Sequence, residues 1–128
     1  MEIKRTLMEG RVPVTIFKIT GKLNATAPLL NEAKIAFDGG ARHMLFDLTG
    51  VPYISSAGFK SFHEIHNLLR NGVRADKPGV DGAQDGKSFS PYIKLLNPSE
   101  LVTEILKVLG FDQYLEVHTD LGKAIASF

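Results

Sequence analysis

The sequence predicts an α/β fold: a single domain over residues 1–128, built as a small mixed β-sheet flanked by about four helices. Strand-like and helix-like segments follow one another in the order β β α β α β α β α. The opening pair of strands suits antiparallel pairing, and the later alternation with helices is the pattern of one sheet with helices packed on it. The run HMLFDL at 43–48 is compactly apolar, as a strand covered on both faces should be.

Each element has its own signal. Ile3, Arg5 and Leu7 alternate with Glu2, Lys4 and Thr6 and predict a short strand, turned at Gly10. Val12, Val14, Ile16 and the run Phe17 to Ile19 predict a second strand, broken by Gly21 and Asn24. Leu29, Leu30, Ala33 and Phe37 share helical spacing over 27–37, with Thr26 as N-cap, Pro28 in the first turn and Gly39-Gly40 as the stop. After the 43–48 strand, residues 57–70 form a helical pattern. Phe59, Phe62, Ile65, His66 and Leu69 fall on its inner face, Lys60, Glu64 and Asn67 point outward, and Gly72 ends it. Residues 91–96 predict another strand. In Asn97-Pro98-Ser99-Glu100 an N-cap is followed by Pro at the first helical position and Glu three residues after the cap, and Gly110 closes that helix at C′. A last strand at 114–117 and a closing helix at 119–128 complete the chain.

Residues 72–90 (GVRADKPGVDGAQDGKSFS) fit no period and exceed the roughly 12–15 residues above which structureless loops become uncommon. They predict a mobile insertion. Gly86-Lys87-Ser88 imitates the end of a phosphate loop, but Asp81 stands where its first Gly belongs, no strand precedes it and Pro91 blocks a following helix. Asp81 to Gly86 imitates the start of a calcium loop, but Ala83 and Tyr92 occupy ligand positions.

Composition narrows the function. Of 128 residues, 44% are apolar and 23% charged, which is a globular composition. Fifteen basic and 14 acidic residues leave a net charge of +1, with no basic stripe to suggest direct nucleic-acid binding. No cysteine is present, which excludes disulfides, a Cys nucleophile and thiolate metal sites and fits a cytoplasmic location. The start of the chain carries no signal-peptide pattern, and no run approaches the roughly 18 apolar residues of a membrane span, so no membrane insertion is expected. Asn24-Ala25-Thr26 spells a glycosylation acceptor without a secretion signal to use it.

The chemistry-bearing stretch is FDLTGVPYISSAGF at 46–59: a strand, a short turn, then Ser55 and Ser56 opening a helix. A hydrolase elbow needs Gly two residues before its serine, and Ile54 stands there before Ser56. His63 and His66 are three apart on one helix, yet a metal site needs a third ligand, and Glu64 points elsewhere. One exposed histidine and one at the edge of the core is the expectation. No catalytic set, metal site or cofactor site is therefore read from the chain. A serine at a helix start serves as a cap worth about 1 kcal/mol, or as a phosphorylation site that the positive end of the helix tolerates.

The run Asp47-Leu48-Thr49-Gly50-Val51-Pro52-Tyr53-Ile54-Ser55-Ser56-Ala57-Gly58-Phe59 resembles the signature of the STAS domain, and more narrowly that of the bacterial anti-sigma-factor antagonists. Thr20-Gly21-Lys22-Leu23 with the helix that follows, and LKVLGFDQY at 106–114, extend the likeness over nearly the whole chain apart from the insertion. The resemblance implies a switch. An unmodified serine lets the protein bind an anti-sigma factor that is a serine kinase of histidine-kinase-like ATPase fold; phosphorylation releases it, and a metal-dependent serine phosphatase resets it. The chain would be the substrate, not the enzyme. A common family form is Asp-Ser-Ser/Thr-Gly, against which Ser55 takes the place of the Asp, Ser56 that of the first Ser, Ala57 that of the second hydroxyl, and Gly58 that of the Gly. Ser56 is the first choice for phosphorylation and Ser55 the second. Asp47, Ala57, Gly58, Lys60, His63 and Glu64 are the candidate turn and partner surface, and Asn24 stands where an acidic residue is often found. The alternative is a scaffold or transporter-accessory module of the same family that works without phosphorylation. A third reading takes Ser56 as a hydrolase nucleophile. A homodimer is left open.

Overall fold

The computed structural model describes residues 1–76 and 89–128. In chain order it contains β1 (Glu2–Glu9), β2 (Pro13–Thr20), α1 (Ala27–Asp38), β3 (Met44–Gly50), α2 (Ser56–Asp76), β4 (Ile93–Leu96), α3 (Glu100–Leu109), a 3-10 turn (Phe111–Gln113), β5 (Glu116–His118) and α4 (Leu121–Ala126). The strands form one five-stranded sheet in the order β1-β2-β3-β4-β5. β1 and β2 are antiparallel, and the remaining neighbours are parallel. The expected single mixed sheet with flanking helices is therefore what forms.

Alternation along the strands splits the apolar residues between two cores. Phe17, Ile19, Met44, Phe46, Leu48, Ile93 and Leu95 face the larger core, with Leu29 and Ala33 of α1, Phe59, Phe62, Ile65 and Leu69 of α2, and Val102 and Leu106 of α3. Val14, Ile16, Leu45 and Leu96 face the opposite side, where Ala124 and Ile125 of α4 cover them. Phe46 lies at the centre of the larger core. Its ring stacks on Phe17 with centroids 5.3 Å apart and meets Phe62 edge-on at 5.2 Å.

Several expected boundaries shift. The second helix does not stop at Gly72 but continues to Asp76. A Cβ on Gly72 would run into the Phe37 ring of α1, so this glycine lets two helices approach and does not end one. Arg42 secures the extra turn: its Nε binds Asp76 Oδ2 at 2.8 Å, and its guanidinium lies 4.0 Å from the Phe37 ring centroid. Residues 72–76 of the expected insertion are thus helical. The expected mobility of the rest, and the phosphate-loop and calcium-loop look-alikes at 81–88, lie outside the described residues. The far end is held, because Ser90 is buried with its hydroxyl on His66 Nδ1 at 2.7 Å.

The third helix begins later than Asn97-Pro98 suggests. Ser99 is its N-cap, with Oγ accepting from Val102 N at 3.2 Å, and Gly110 closes it at φ +78°. Asn97 instead adopts φ +51°, and its N–H donates to His118 O at 2.8 Å, so it extends the strand pairing rather than capping. β3 runs past Asp47 to Gly50, and the last strand moves to Glu116–His118 because Tyr114 and Leu115 are held in turn bonds to Phe111 O at 3.1 and 2.8 Å. α4 is shorter than 119–128 and is capped by Asp120.

Candidate functional site

The serine turn is built on a long-range pairing. After β2, Leu23 forms an isolated parallel bridge with Ile54. Leu23 N–H donates to Tyr53 O at 3.0 Å, and Leu23 O accepts from Ser55 N–H at 2.9 Å. This fixes Ser55 as the N-cap of α2. Its Oγ accepts from Gly58 N–H at 3.1 Å, and its carbonyl accepts from Phe59 N–H at 2.9 Å. Ser56 is then the first residue of the helix. It is exposed, and its hydroxyl makes no hydrogen bond among the described residues. The two serines are thereby distinguished: one holds the helix end, the other stands free on it.

Neighbouring residues complete the turn. Ala57 is exposed, and its carbonyl accepts from Thr26 Oγ1 at 2.9 Å. Thr26, expected as a cap for α1, makes no capping bond and ties the two helix starts together instead. Gly58 is buried; a Cβ there would collide with Leu23 O and come within 2.8 Å of Ile54 Cγ2. Ser61 Oγ donates to Gly58 O. The amides of Ser56 and Ala57, ahead of the first helical bond, find no partner among the described residues, and with the helix dipole they offer donors to an added anion.

Ser56, Lys60, His63 and Asn67 are spaced to line one outer stripe of α2. Lys60 and His63 are exposed, whereas Glu64 and Asn67 are half-buried, so the outward face is narrower than the sequence pattern suggests. His63 Nε2 pairs with Asn67 Nδ2 at 3.3 Å. Asp47 lies elsewhere. It alternates with the core residues Phe46 and Leu48, so it projects from the sheet face opposite α2, and its Oδ1 accepts from Thr49 N at 3.0 Å and Thr49 Oγ1 at 2.6 Å. It orders the end of β3 rather than joining the serines. Sequence reasoning missed Tyr53, which is 41% exposed beside the cap and signalled only by an aromatic in a turn.

The polar contacts of His66 and Ser90 hold the fold. His66 packs against the rings of Tyr92 and Tyr114, with centroids 5.6 and 5.8 Å away. Ser90 Oγ touches His66 but is also within reach of the amides of Tyr92 and Ile93 at 3.3 and 3.4 Å. With only 1% of Ser90 exposed, this contact ties residue 90 to α2 and offers no accessible nucleophile. His63 and His66 have different polar partners, Asn67 and Ser90, but both rings meet Tyr114 edge-on, at 6.4 and 5.8 Å. Among the described residues no group of three His, Cys, Asp or Glu could hold a metal ion. No described helix is long and apolar enough to cross a membrane.

Two predictions arise here. Ser55→Ala removes the cap and is expected to cost about 1 kcal/mol in urea unfolding, whereas Ser56→Ala should change stability by no more than roughly 0.5 kcal/mol. Equal costs would contradict the assignment of the cap. The second concerns acid. Burial lowers the pKa of His66 below its ordinary 6.5, and the Arg70 and His63 charges act in the same direction. The folded chain therefore resists a proton that the unfolded chain accepts near 6.5. Stability from this group is fully present above that pH and falls as the pH drops through it toward the folded value. Burial, aided by Lys94, lowers the pKa of His43 in the same sense. The urea midpoint should fall from pH 7.5 to pH 5.5, with a shallower decline in His66→Gln; an unchanged slope in that variant would remove His66 as the cause.

The family model of the STAS domain matches residues 5–75. No curated protein sequence matches the chain. Among solved structures, a proposed anti-sigma factor antagonist from Thermotoga maritima superposes with a TM-score of 0.67 at 17% identity, covering 95% of this chain and 90% of its own. An anti-sigma factor antagonist from Mycobacterium paratuberculosis gives 0.65 at 15%, covering 98% and 93%. The Bacillus cell fate determinant SpoIIAA in its phosphorylated form gives 0.59 at 14%, covering 94% and 96%. At such identities the likeness establishes the fold.

Proposed function

Because the chain belongs to the STAS domain family, we propose that it is an anti-sigma-factor antagonist whose partner binding is switched at Ser56. In the unmodified state the turn and the outer stripe of α2 bind an anti-sigma factor that is also a serine kinase of histidine-kinase-like ATPase fold. The kinase's base takes the Ser56 hydroxyl proton, Oγ attacks the γ-phosphorus of ATP, and ADP leaves. A metal-dependent serine phosphatase hydrolyses the ester and resets the switch. The chain is the substrate in this cycle and not an enzyme, and the cycle runs in the cytoplasm without direct contact to nucleic acid.

The observation that carries this reading is the division of labour between the serines. Ser56 Oγ is exposed and unbonded, beside the open amides of Ser56 and Ala57, while Ser55 Oγ is committed to Gly58 N–H at 3.1 Å. A phosphate at this helix start meets donors and the positive dipole end, so α2 survives modification. The added charge of roughly −1.5 to −2 reverses the sign of a chain of net charge +1 and is read at the partner surface. Lys60 and His63 follow Ser56 on that surface, and Tyr53 supplies an aromatic contact of the type that anchors interfaces.

The test is mass spectrometry after incubation with ATP and a candidate kinase, with Ser56→Ala and Ser55→Ala in parallel. One phosphate is expected on the wild type and on Ser55→Ala, with none on Ser56→Ala. Phosphate persisting in Ser56→Ala would refute the site. A kinase that binds but never modifies the chain would favour the phosphorylation-independent scaffold, which the exposed Ala57 in place of a second hydroxyl also favours.

A further inference from the structure

β1 is an outer strand of the sheet, eight residues long, with one edge unpaired among the described residues. Thr15 N–H donates to His43 O on the β3 side, so the odd-numbered residues of β2 turn their backbone groups toward β3 and the even-numbered ones toward β1. The register from Glu2↔Thr20 to Glu9↔Pro13 pairs even with even. The backbone N–H and C=O groups of Ile3, Arg5, Leu7 and Glu9 therefore face outward along the open edge. The side chains of the same residues lie on the α1 face: Ile3 packs on the larger core, and Arg5 reaches Glu32 of α1 at 3.6 Å. Leu7 is 63% exposed and Ile35 of α1 is 56% exposed, and both line a groove of about 480 Å³ between β1 and α1.

We infer that β1 pairs antiparallel with β1 of a second copy of this chain, across a two-fold axis at Leu7. A two-fold perpendicular to the sheet keeps each face on its own side, so opposed residues must have the same parity. Centring on Arg5 sets arginine against arginine. Centring on Thr6 sets Arg5 against Leu7 and Ile3 against Glu9. Centring on Leu7 sets Leu7 against its own copy and Arg5 against Glu9 on both sides of the axis. In that register every outward backbone group from Arg5 to Glu9 finds a partner, and Glu9, which has no ion pair among the described residues, gains one. Charged residues on an edge ordinarily block pairing. Here their signs favour the Leu7 register: the Arg5 register opposes like charges, and the Thr6 register leaves Arg5 and Glu9 facing apolar residues.

The pairing would join the two sheets into one. Residues 7–9 lie beside Val14 and Thr15 at the start of β2, whereas the serine turn lies beyond its end, past Thr20. Both copies of Ser56 stay open, which gives a bivalent molecule with two equivalent partner faces. This interface shares no residue with the proposed switch, so each can fail without the other.

Sedimentation velocity over a concentration series tests it on the full chain. The wild type is expected to show a concentration-dependent dimer. Arg5→Glu should raise its dissociation constant on the order of 10-fold or more, and adding Glu9→Arg should restore it. With no native cysteine present, Leu7→Cys should form a disulfide-linked dimer under mild oxidation, because directly opposed residues in such a pair lie about 5.5 Å apart at Cα, within bonding range. A wild type that stays monomeric to about 1 mM overturns the inference, well above the range of specific complexes. So does a dimer that ignores Arg5→Glu, or one that the charge swap fails to rescue; such a dimer would use another face, for instance the exposed Leu101 and Val108 of α3.

Discussion

Gly58→Ala is expected to destabilise the protein by about 3 kcal/mol or more and to abolish the partner binding proposed for the serine turn. The added Cβ would meet Leu23 O, with Leu23 C at 3.0 Å and Ile54 Cγ2 at 2.8 Å. Two of those atoms are backbone and cannot rotate away. Leu23 O is also the acceptor for Ser55 N–H at 2.9 Å, so the clash falls on the bond that fixes the cap. Relief requires α2 to lift from the Leu23–Ile54 bridge, which exposes Phe59 and Phe62 behind it. This glycine is not demanded by its own backbone angles, because positive φ among the described glycines is confined to Gly21, Gly40 and Gly110. It is demanded by a neighbour. Chemical denaturation and partner binding measured together check the effect. A variant that keeps its stability within about 1 kcal/mol of wild type would show that the helix start relaxes freely, and the rigid-turn argument would be lost.

The same contrast between local and distant causes explains what the sequence did and did not reveal. Features written in a few adjacent residues were legible. Alternation predicted β1, a run of strand-forming residues predicted β2, the apolar run at 43–48 predicted a buried strand, and Gly110 was readable as a C′ residue. Features set by contacts across the chain were not. Gly72 looks like a helix stop until the Phe37 ring beside it is seen. Asn97-Pro98 looks like a helix start until His118 O claims the Asn97 amide. Thr26 looks like a cap, and its hydroxyl goes instead to a carbonyl 31 residues away. The serine turn shows both sides. Its residues could be picked out in sequence, but Ser55 and Ser56 differ by one position, and only the bridge from Leu23 decides which of them caps. Asp47 belongs to the same quoted stretch, and strand alternation sends it to the other face of the sheet.

Phe46→Ala should be the most costly single truncation in the core, at about 4 kcal/mol. β3 is the middle strand, flanked by parallel neighbours on both sides, and Phe46 has no exposed surface. Removing the ring deletes two aromatic contacts, the stack on Phe17 at 5.3 Å and the edge contact with Phe62 at 5.2 Å. The cavity left between sheet and α2 cannot collapse readily, because α2 is pinned at one end by Ser55 and at the other by Arg42 on Asp76. For a domain whose total stability is on the order of 5–15 kcal/mol, that loss lowers the melting temperature by roughly 10–20 °C. Phe46→Leu keeps most of the volume and should lose only about 1–2 kcal/mol. The comparison matters more than either value. If Ala and Leu cost the same, the site has collapsed around the missing ring, and α2 must have followed the core inward, carrying the serine turn with it. If Ala costs several times more, the helix is rigidly placed. Under the proposed switch, the folded fraction of Phe46→Ala should then still accept phosphate at Ser56, since the strand supports the turn through the sheet and touches neither serine.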